Sequence, residues 1–179
     1  VAYGRAYAPG RTPRARRGGP GAAVTLRIMS PFPPARDAGL RKRDALRRLE
    51  ADEDAWVSSV SDDGTPALVP LSFVWYGERL LMATKRRNPT ARNLAARPES
   101  RVALGTTRDV VLAHCTTEVL ACDTLPRDAA DAFAAKLGWD PYGRATWVYL
   151  RFTPRRLLVW REANELPGRE LMRDGSWIV

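Results

Sequence analysis

Residues 66–83 constrain the fold most. Positions 66–75 and 79–83 are apolar segments of strand length, and the Tyr76-Gly77-Glu78 link between them is far too short for a crossover, so they pair as an antiparallel hairpin. The rest of the chain follows this lead. Residues 55–60 read as a strand closed by the turn signal Asp62-Asp63-Gly64. Residues 101–104 and 109–122 read as the fourth and fifth strands, and in the fifth Val111, Ala113, Cys115 and Thr117 face one way while Val110, Leu112, His114 and Thr116 face the other. Residues 146–151 and 155–160 complete the set. A first helix is expected over 37–49, with Asp37 as cap and Ala45, Leu46 and Leu49 as a narrow apolar stripe. A second spans 127–137, where Ala130, Phe133, Ala134 and Leu137 fall at i, i+3, i+4 and i+7. The expected fold class is mainly β with α insertions: six to seven antiparallel strands in a small barrel, not a parallel α/β sheet.

Six tryptophans and 45% apolar residues describe a globular chain, and 179 residues suffice for one domain with a sizeable core. Apolar runs such as Val110-Val111-Leu112-Ala113 fall far short of the roughly 20 residues that span a bilayer, so no membrane role is expected. The formal charge of +9 invites a nucleic-acid reading, but residues 1–28 hold six arginines and no acid, and without them the charge is +3. The body is only mildly basic. Cys115 and Cys122 lie seven apart in one expected strand, on opposite faces, and neither sits in a metal-type pair; with no secretory start, they suggest a reducing cytoplasm.

Residues 1–36 are rich in proline and glycine and lack any helical or strand period, so they read as a disordered basic leader before a domain at 37–179. The leader is poor in acids, as transit peptides are, but lacks their serines and amphipathic pattern. The chain opens on Val1, and Met29-Ser30 lies just upstream of the first expected element, which fits residues 1–28 being an over-extended gene start.

The segment Thr84-Lys85-Arg86-Arg87-Asn88-Pro89-Thr90-Ala91-Arg92-Asn93-Leu94 has the local chemistry of a phosphate clamp. Asn88 is a favoured N-cap, and Pro89 falls at the first helical position, where φ is preset and no N–H is lost. The N–H groups that follow have no intrahelical partner and lie at the positive end of the helix dipole, beside Lys85, Arg86, Arg87 and Arg92. The same residues also suit a solvated loop and a helix start that binds nothing.

With these elements in order, the chain resembles the FMN-binding split β-barrel proteins related to pyridoxamine 5′-phosphate oxidase. The matching residues run from Asp63-Gly64-Thr65-Pro66 into Val69-Pro70-Leu71-Ser72-Phe73-Val74-Trp75, then Ala83-Thr84, Asn88-Pro89-Thr90-Ala91-Arg92-Asn93-Leu94 and Pro98-Glu99-Ser100-Arg101-Val102-Ala103-Leu104. Thr107-Arg108-Asp109-Val110-Val111-Leu112 and Lys136-Leu137-Gly138-Trp139-Asp140-Pro141 extend the likeness, which covers about residues 40–177. The resemblance implies a homodimer of split barrels, with FMN or, alternatively, a deazaflavin coenzyme in a groove at the subunit interface. It implies a flavoprotein oxidoreductase that passes hydride to or from a small organic substrate. Carried over by position, Thr84, Lys85, Asn88, Thr90, Arg92 and Asn93 would grip the cofactor phosphate, and Val69, Pro70, Leu71 and Ser72 would line its ring system. Many deazaflavin-using relatives carry Lys or Arg where this chain has Asn88 and Thr90, which leaves the choice of cofactor open. The substrate-phosphate motif of a true pyridoxamine-phosphate oxidase is not evident near Trp160-Arg161.

Other chemistry has less support. His114 is the one histidine of the chain, so paired-histidine metal sites are not expected. No Gly-x-Ser-x-Gly elbow accompanies Ser58, Ser59 or Ser72, and no catalytic acid or base stands out. Trp139, Trp147 and Trp160 suit either ring stacking or ordinary core anchoring. The alternatives are a non-catalytic flavin- or haem-binding protein and nucleic-acid binding through the leader.

Overall fold

A computed structural model describes residues 32–179. The elements run α1 (Ala38–Ala51), β1 (Asp54–Val60), β2 (Pro66–Tyr76), β3 (Arg79–Lys85), α2 (Pro89–Ala96), β4 (Glu99–Thr106), β5 (Asp109–Ala121), α3 (Arg127–Leu137), β6 (Trp147–Trp160), β7 (Glu170–Arg173) and β8 (Ser176–Trp177). All pairings are antiparallel, in the order β3-β2-β1-β4-β5-β6-β7-β8, and β3 also pairs with β6. That last pairing closes the first six strands into a barrel, the architecture expected from the hairpin-rich sequence.

Turn chemistry sets the strand ends. Gly77 and Glu78 both have positive φ (54° and 59°), the pair required by a two-residue loop whose twist matches the flanking strands of β2 and β3. At the β4–β5 turn Gly105 has φ of 87°, and a Cβ there would lie 2.1 Å from the Asp109 carbonyl oxygen.

Two differences from the sequence reading concern the last third of the chain. The strands expected at 146–151 and 155–160 are one strand, β6. Pro154 does not end it, because β3 pairing stops at Phe152 and the β5 register shifts between His114 and Cys115, a bulge where a missing N–H is tolerated. Beyond β6 the short hairpin β7–β8, of four and two residues, extends the sheet. Of the expected leader, residues 1–31 lie outside the described residues. Near its end, the Pro33 carbonyl accepts a hydrogen bond from the Asn164 amide, and the side chain of Arg36 is only 7% exposed.

The alternating strands send one set of side chains inward. Val57, Phe73, Leu80, Val102, Leu150 and Phe152 are fully buried in the barrel interior, joined by Ala45 and Leu49 from α1 and by Ala91 and Leu94 from α2. A second cluster lies between α3 and the outer faces of β2, β3 and β6: Val74, Leu81, Ala83, Cys122, Phe133 and Tyr149, with Trp139 and Trp147 packed against it. Each fully buried Leu or Phe contributes about 2 kcal/mol by removal from water.

An ion network fixes the segment before α1 to the end of the sheet. Arg36 donates to Glu165 through Nε (2.9 Å), Nη2 (2.8 Å) and its backbone N–H (3.0 Å), and to Asp44 through Nη1 (2.7 Å). Asp109, at the start of β5, receives Arg48 (3.0 Å) and Arg161 (3.2 Å). Glu165, only 4% exposed, also accepts the Arg161 backbone N–H at 2.8 Å. The Arg36 guanidinium is the main cause that holds the Glu165 carboxyl down at about 2, against the opposing effect of burial.

Because this folded pKa lies below the ordinary value of 4.5, the stability it contributes is complete above that pH and is lost as pH falls toward 2. Replacing Glu165 with Gln leaves the buried Arg36 short of one counter-ion and is expected to cost about 3 kcal/mol at pH 7. Denaturant unfolding between pH 7 and pH 3 checks both parts: the wild type loses its advantage over the variant as the pH drops.

Candidate functional site

The end of β3 is the corner from which the site is built. The β3–β6 ladder runs from Leu80 opposite Phe152 to Lys85 opposite Trp147, and the chain then turns sharply into α2. The Asn88 N–H donates to the Lys85 carbonyl (2.9 Å) and the Arg86 N–H to the Thr146 carbonyl (2.9 Å), which binds the turn to the segment entering β6. Between this corner and β2 lies a cleft of about 430 Å³, lined by Pro70, Leu71, Ser72, Ala83, Thr84, Lys85, Asn88, Trp139 and Trp147.

Asn88 stands at the N-cap position with Pro89 behind it, but its side chain makes no cap bond. Its amide donates instead to the Thr84 hydroxyl at 2.8 Å. Thr84 is buried at the end of β3, and this bond ties the strand to the helix start. Thr90 and Ala91 fall in the first turn of α2, before the ladder begins with Arg92 donating to the Asn88 carbonyl, and with no side-chain cap their amides have no intrahelical or side-chain acceptor. Lys85, Arg86, Arg87 and Arg92 are exposed around this turn, and among the described residues none forms an ion pair with a carboxylate. Elsewhere arginines such as Arg36, Arg48, Arg151 and Arg156 are neutralised. The positive potential of the corner is therefore unspent.

Of the ten residues singled out from sequence, six line the cleft: Pro70, Leu71, Ser72, Thr84, Lys85 and Asn88. Four do not. Val69 is half-buried opposite Val57 of β1, Thr90 is buried, Arg92 is exposed on α2, and Asn93 is buried with its amide donating to the Ser59 hydroxyl at 3.1 Å. Asn93 thus joins α2 to β1. The cleft adds two residues that the sequence left between core and ring stacking: Trp139 and Trp147, half-buried and 4.9 Å apart between ring centroids. His114 lies elsewhere, on the outer face of β5 between Arg101 and Arg156 in register, where burial and then these two cations lower its pKa.

The model of the Pyridoxamine 5′-phosphate oxidase family matches residues 43–161, about two thirds of the chain, from within α1 to just past the end of β6. The chain belongs to that family. No curated protein matches it in sequence. Among solved structures, an F420 reductase shares 20% identity and superposes with a TM-score of 0.50, over 62% of this chain and 93% of that one. An FAD-binding protein from Mesorhizobium loti shares 18% identity, with a TM-score of 0.52 over 65% of this chain and 89% of its own. The heme storage protein HutZ from Vibrio cholerae shares 12%, with a TM-score of 0.58 over 76% of this chain and 99% of its own. At these identities the likeness is one of fold. The barrel fold is common to all three, and the ligands their names give differ, so the ligand of this member has to be argued from its own cleft.

Asn93→Ala separates a supporting role from a contacting one. Loss of its amide leaves the buried Ser59 hydroxyl unpaired, and the expected cost is about 1–3 kcal/mol in unfolding free energy. The residue lies outside the cleft, so ligand affinity of the folded variant should stay within about twofold, or about 0.4 kcal/mol. Paired denaturation and binding titrations check the two outcomes.

Proposed function

We propose that this protein is an FMN-dependent oxidoreductase, with a deazaflavin coenzyme as the alternative cofactor, that passes hydride to or from a small organic substrate. The observation that carries this reading is the convergence of β2, the end of β3 and the start of α2 on one cleft in a member of the oxidase family. The donor set suits a phosphate-bearing ring. The free N–H groups of Thr90 and Ala91 and the ammonium of Lys85 would take the phosphate, with Arg92 adding charge from the first turn of α2. Thr84 and Asn88 would hold the geometry through their mutual bond. Pro70, Leu71 and Ser72 would border the ring system, and Val69 and Asn93 would fix the strand and helix behind them.

When bound, the cofactor supplies the redox chemistry, and the chain supplies position, electrostatics and access. The largely apolar β2 wall would keep water from one edge.

A homodimer fits the same surface. Trp56 (50% exposed), Leu68 (61% exposed) and Val60 lie exposed on the outer face of β1 and β2, and Trp56 is directly opposite Pro70, which lines the cleft. A second copy seated on this face would wall off the open side of the cleft, which supports placing the groove at a subunit interface. Cys115 and Cys122 are buried free thiols in separate clusters, in keeping with a reducing cytoplasm. No helix among the described residues is long and apolar enough to cross a membrane.

Haem binding without turnover is the second reading, prompted by the heme storage relative. The position of His114 disfavours it, because the single histidine does not line the cleft. The purified protein, mixed with FMN and freed of excess ligand, is expected to retain a flavin absorbance band. The double variant Lys85→Glu with Arg92→Glu is expected to bind FMN about 3 kcal/mol more weakly, since each charge-assisted contact to phosphate is worth about 1.5–3 kcal/mol and Arg92 is solvent-screened. Unchanged affinity in the folded double variant would remove the phosphate assignment, and a Soret band in place of flavin absorbance would favour the second reading.

A further inference from the structure

We infer that Trp147, flanked by Trp139, forms the wall on which one face of the ligand's planar ring stacks, leaving the opposite face for the reaction partner. This rests on the flavin reading of the cleft and assigns two residues that fold and family leave without a role.

Both indoles line the cleft with Pro70, Leu71 and Ser72. Both are also half-buried, with part of each ring packed on the α3 cluster. That backing is itself aromatic and rigid. Phe133 meets Trp139 edge-on at 5.5 Å (78°) and Tyr149 at 5.3 Å (87°), and Phe133 and Tyr149 are fully buried. Trp147 then lies against Trp139, tilted by 58°. An aromatic surface held on its back and free in front is preorganised for stacking, because little side-chain freedom remains to be lost when a ring arrives.

The ladder also sets the wall beside the anion site. Trp147 stands opposite Lys85 in the β3–β6 register, so the indole and the ammonium are cross-strand neighbours. A ligand whose anionic tail is held at Lys85 and the α2 start has its ring delivered beside Trp147. Neither indole N–H is bonded to another described residue, so each remains a free donor in or near the cleft. Indoles serving only as core filler would have no need to share a cleft with the cations.

The test uses the full-length protein and FMN, with the deazaflavin coenzyme as probe if FMN does not bind. Affinity is read by calorimetry and ring contact by the emission of the bound flavin, which an adjacent indole quenches. The wild type is expected to quench that emission strongly. Trp147→Leu is expected to bind about tenfold more weakly and to restore much of the emission, while Trp147→Phe, which keeps a stacking face, stays within about threefold of the wild type. Trp139→Leu should behave like Trp147→Leu to a smaller degree. Wild-type protein that binds flavin without quenching it overturns the inference whether or not the variants fold. So does a folded Trp147→Leu with unchanged affinity and quenching, and in both cases the flavin reading survives. A wild type that takes up neither cofactor overturns the flavin reading itself and this inference with it.

Discussion

The pairing of β3 with β6 is the contact on which the rest of the structure depends. It joins the third strand to one that begins 62 positions later, at Trp147, and without it the six strands would form an open sheet with two bare edges. Closure creates an interior that Phe73, Leu80, Leu150 and Phe152 can fill. It also sets Lys85 beside Trp147 and brings the β3–α2 turn against the entry to β6, where Arg86 meets the Thr146 carbonyl. The candidate site is thus a product of barrel closure. Its cations come from the end of β3 and the turn that follows, and its aromatic wall from the start of β6 and the connection that precedes it.

Two apolar clusters divide the labour. The barrel interior, plugged by α1 and α2, provides most of the burial. The outer cluster under α3 is smaller and richer in rings, and its edge is the wall of the cleft. Lys136 helps hold α3 in place: its ammonium donates to the Asp52 carbonyl at 2.7 Å and lies 4.6 Å from the Phe73 ring. On another part of the surface the Arg36, Asp44, Asp109, Arg161 and Glu165 network fixes the start of α1 against the strand ends. Neither anchor uses a residue that lines the cleft.

Much of this fold was legible locally. Tyr76-Gly77-Glu78 reads as a tight hairpin because only a short loop with positive φ fits there, and α3 reads as a helix because Ala130, Phe133 and Leu137 share a face. The single strand β6 is not legible locally, since Pro154 is an ordinary strand breaker and only the facing bulge in β5 explains why it is tolerated. The β7–β8 hairpin is too short to show a period. At the site, Asn88-Pro89 marks the helix start, but the bond from the Asn88 amide to the Thr84 hydroxyl, and the missing cap bond, depend on the end of β3. Asn93 could not be read as a link to Ser59, which is 34 residues away, nor Arg41 as a buried residue of α1 within the basic run Arg41-Lys42-Arg43. Trp139 and Trp147 carried an ambiguous signal, since aromatic residues serve cores and ligands alike and only the closed barrel puts one side of each against a cleft.

The central claim is that the corner formed by Lys85, Asn88 and the opening N–H groups of α2 holds the anionic end of a flavin. A crystal structure of the protein grown with FMN tests it directly. Phosphate oxygens are expected within hydrogen-bond distance of Lys85 Nζ and of the Thr90 and Ala91 amides, with the ring running toward Pro70–Ser72 and Trp147. A phosphate bound at another place on the barrel, with this corner left to solvent, would contradict it.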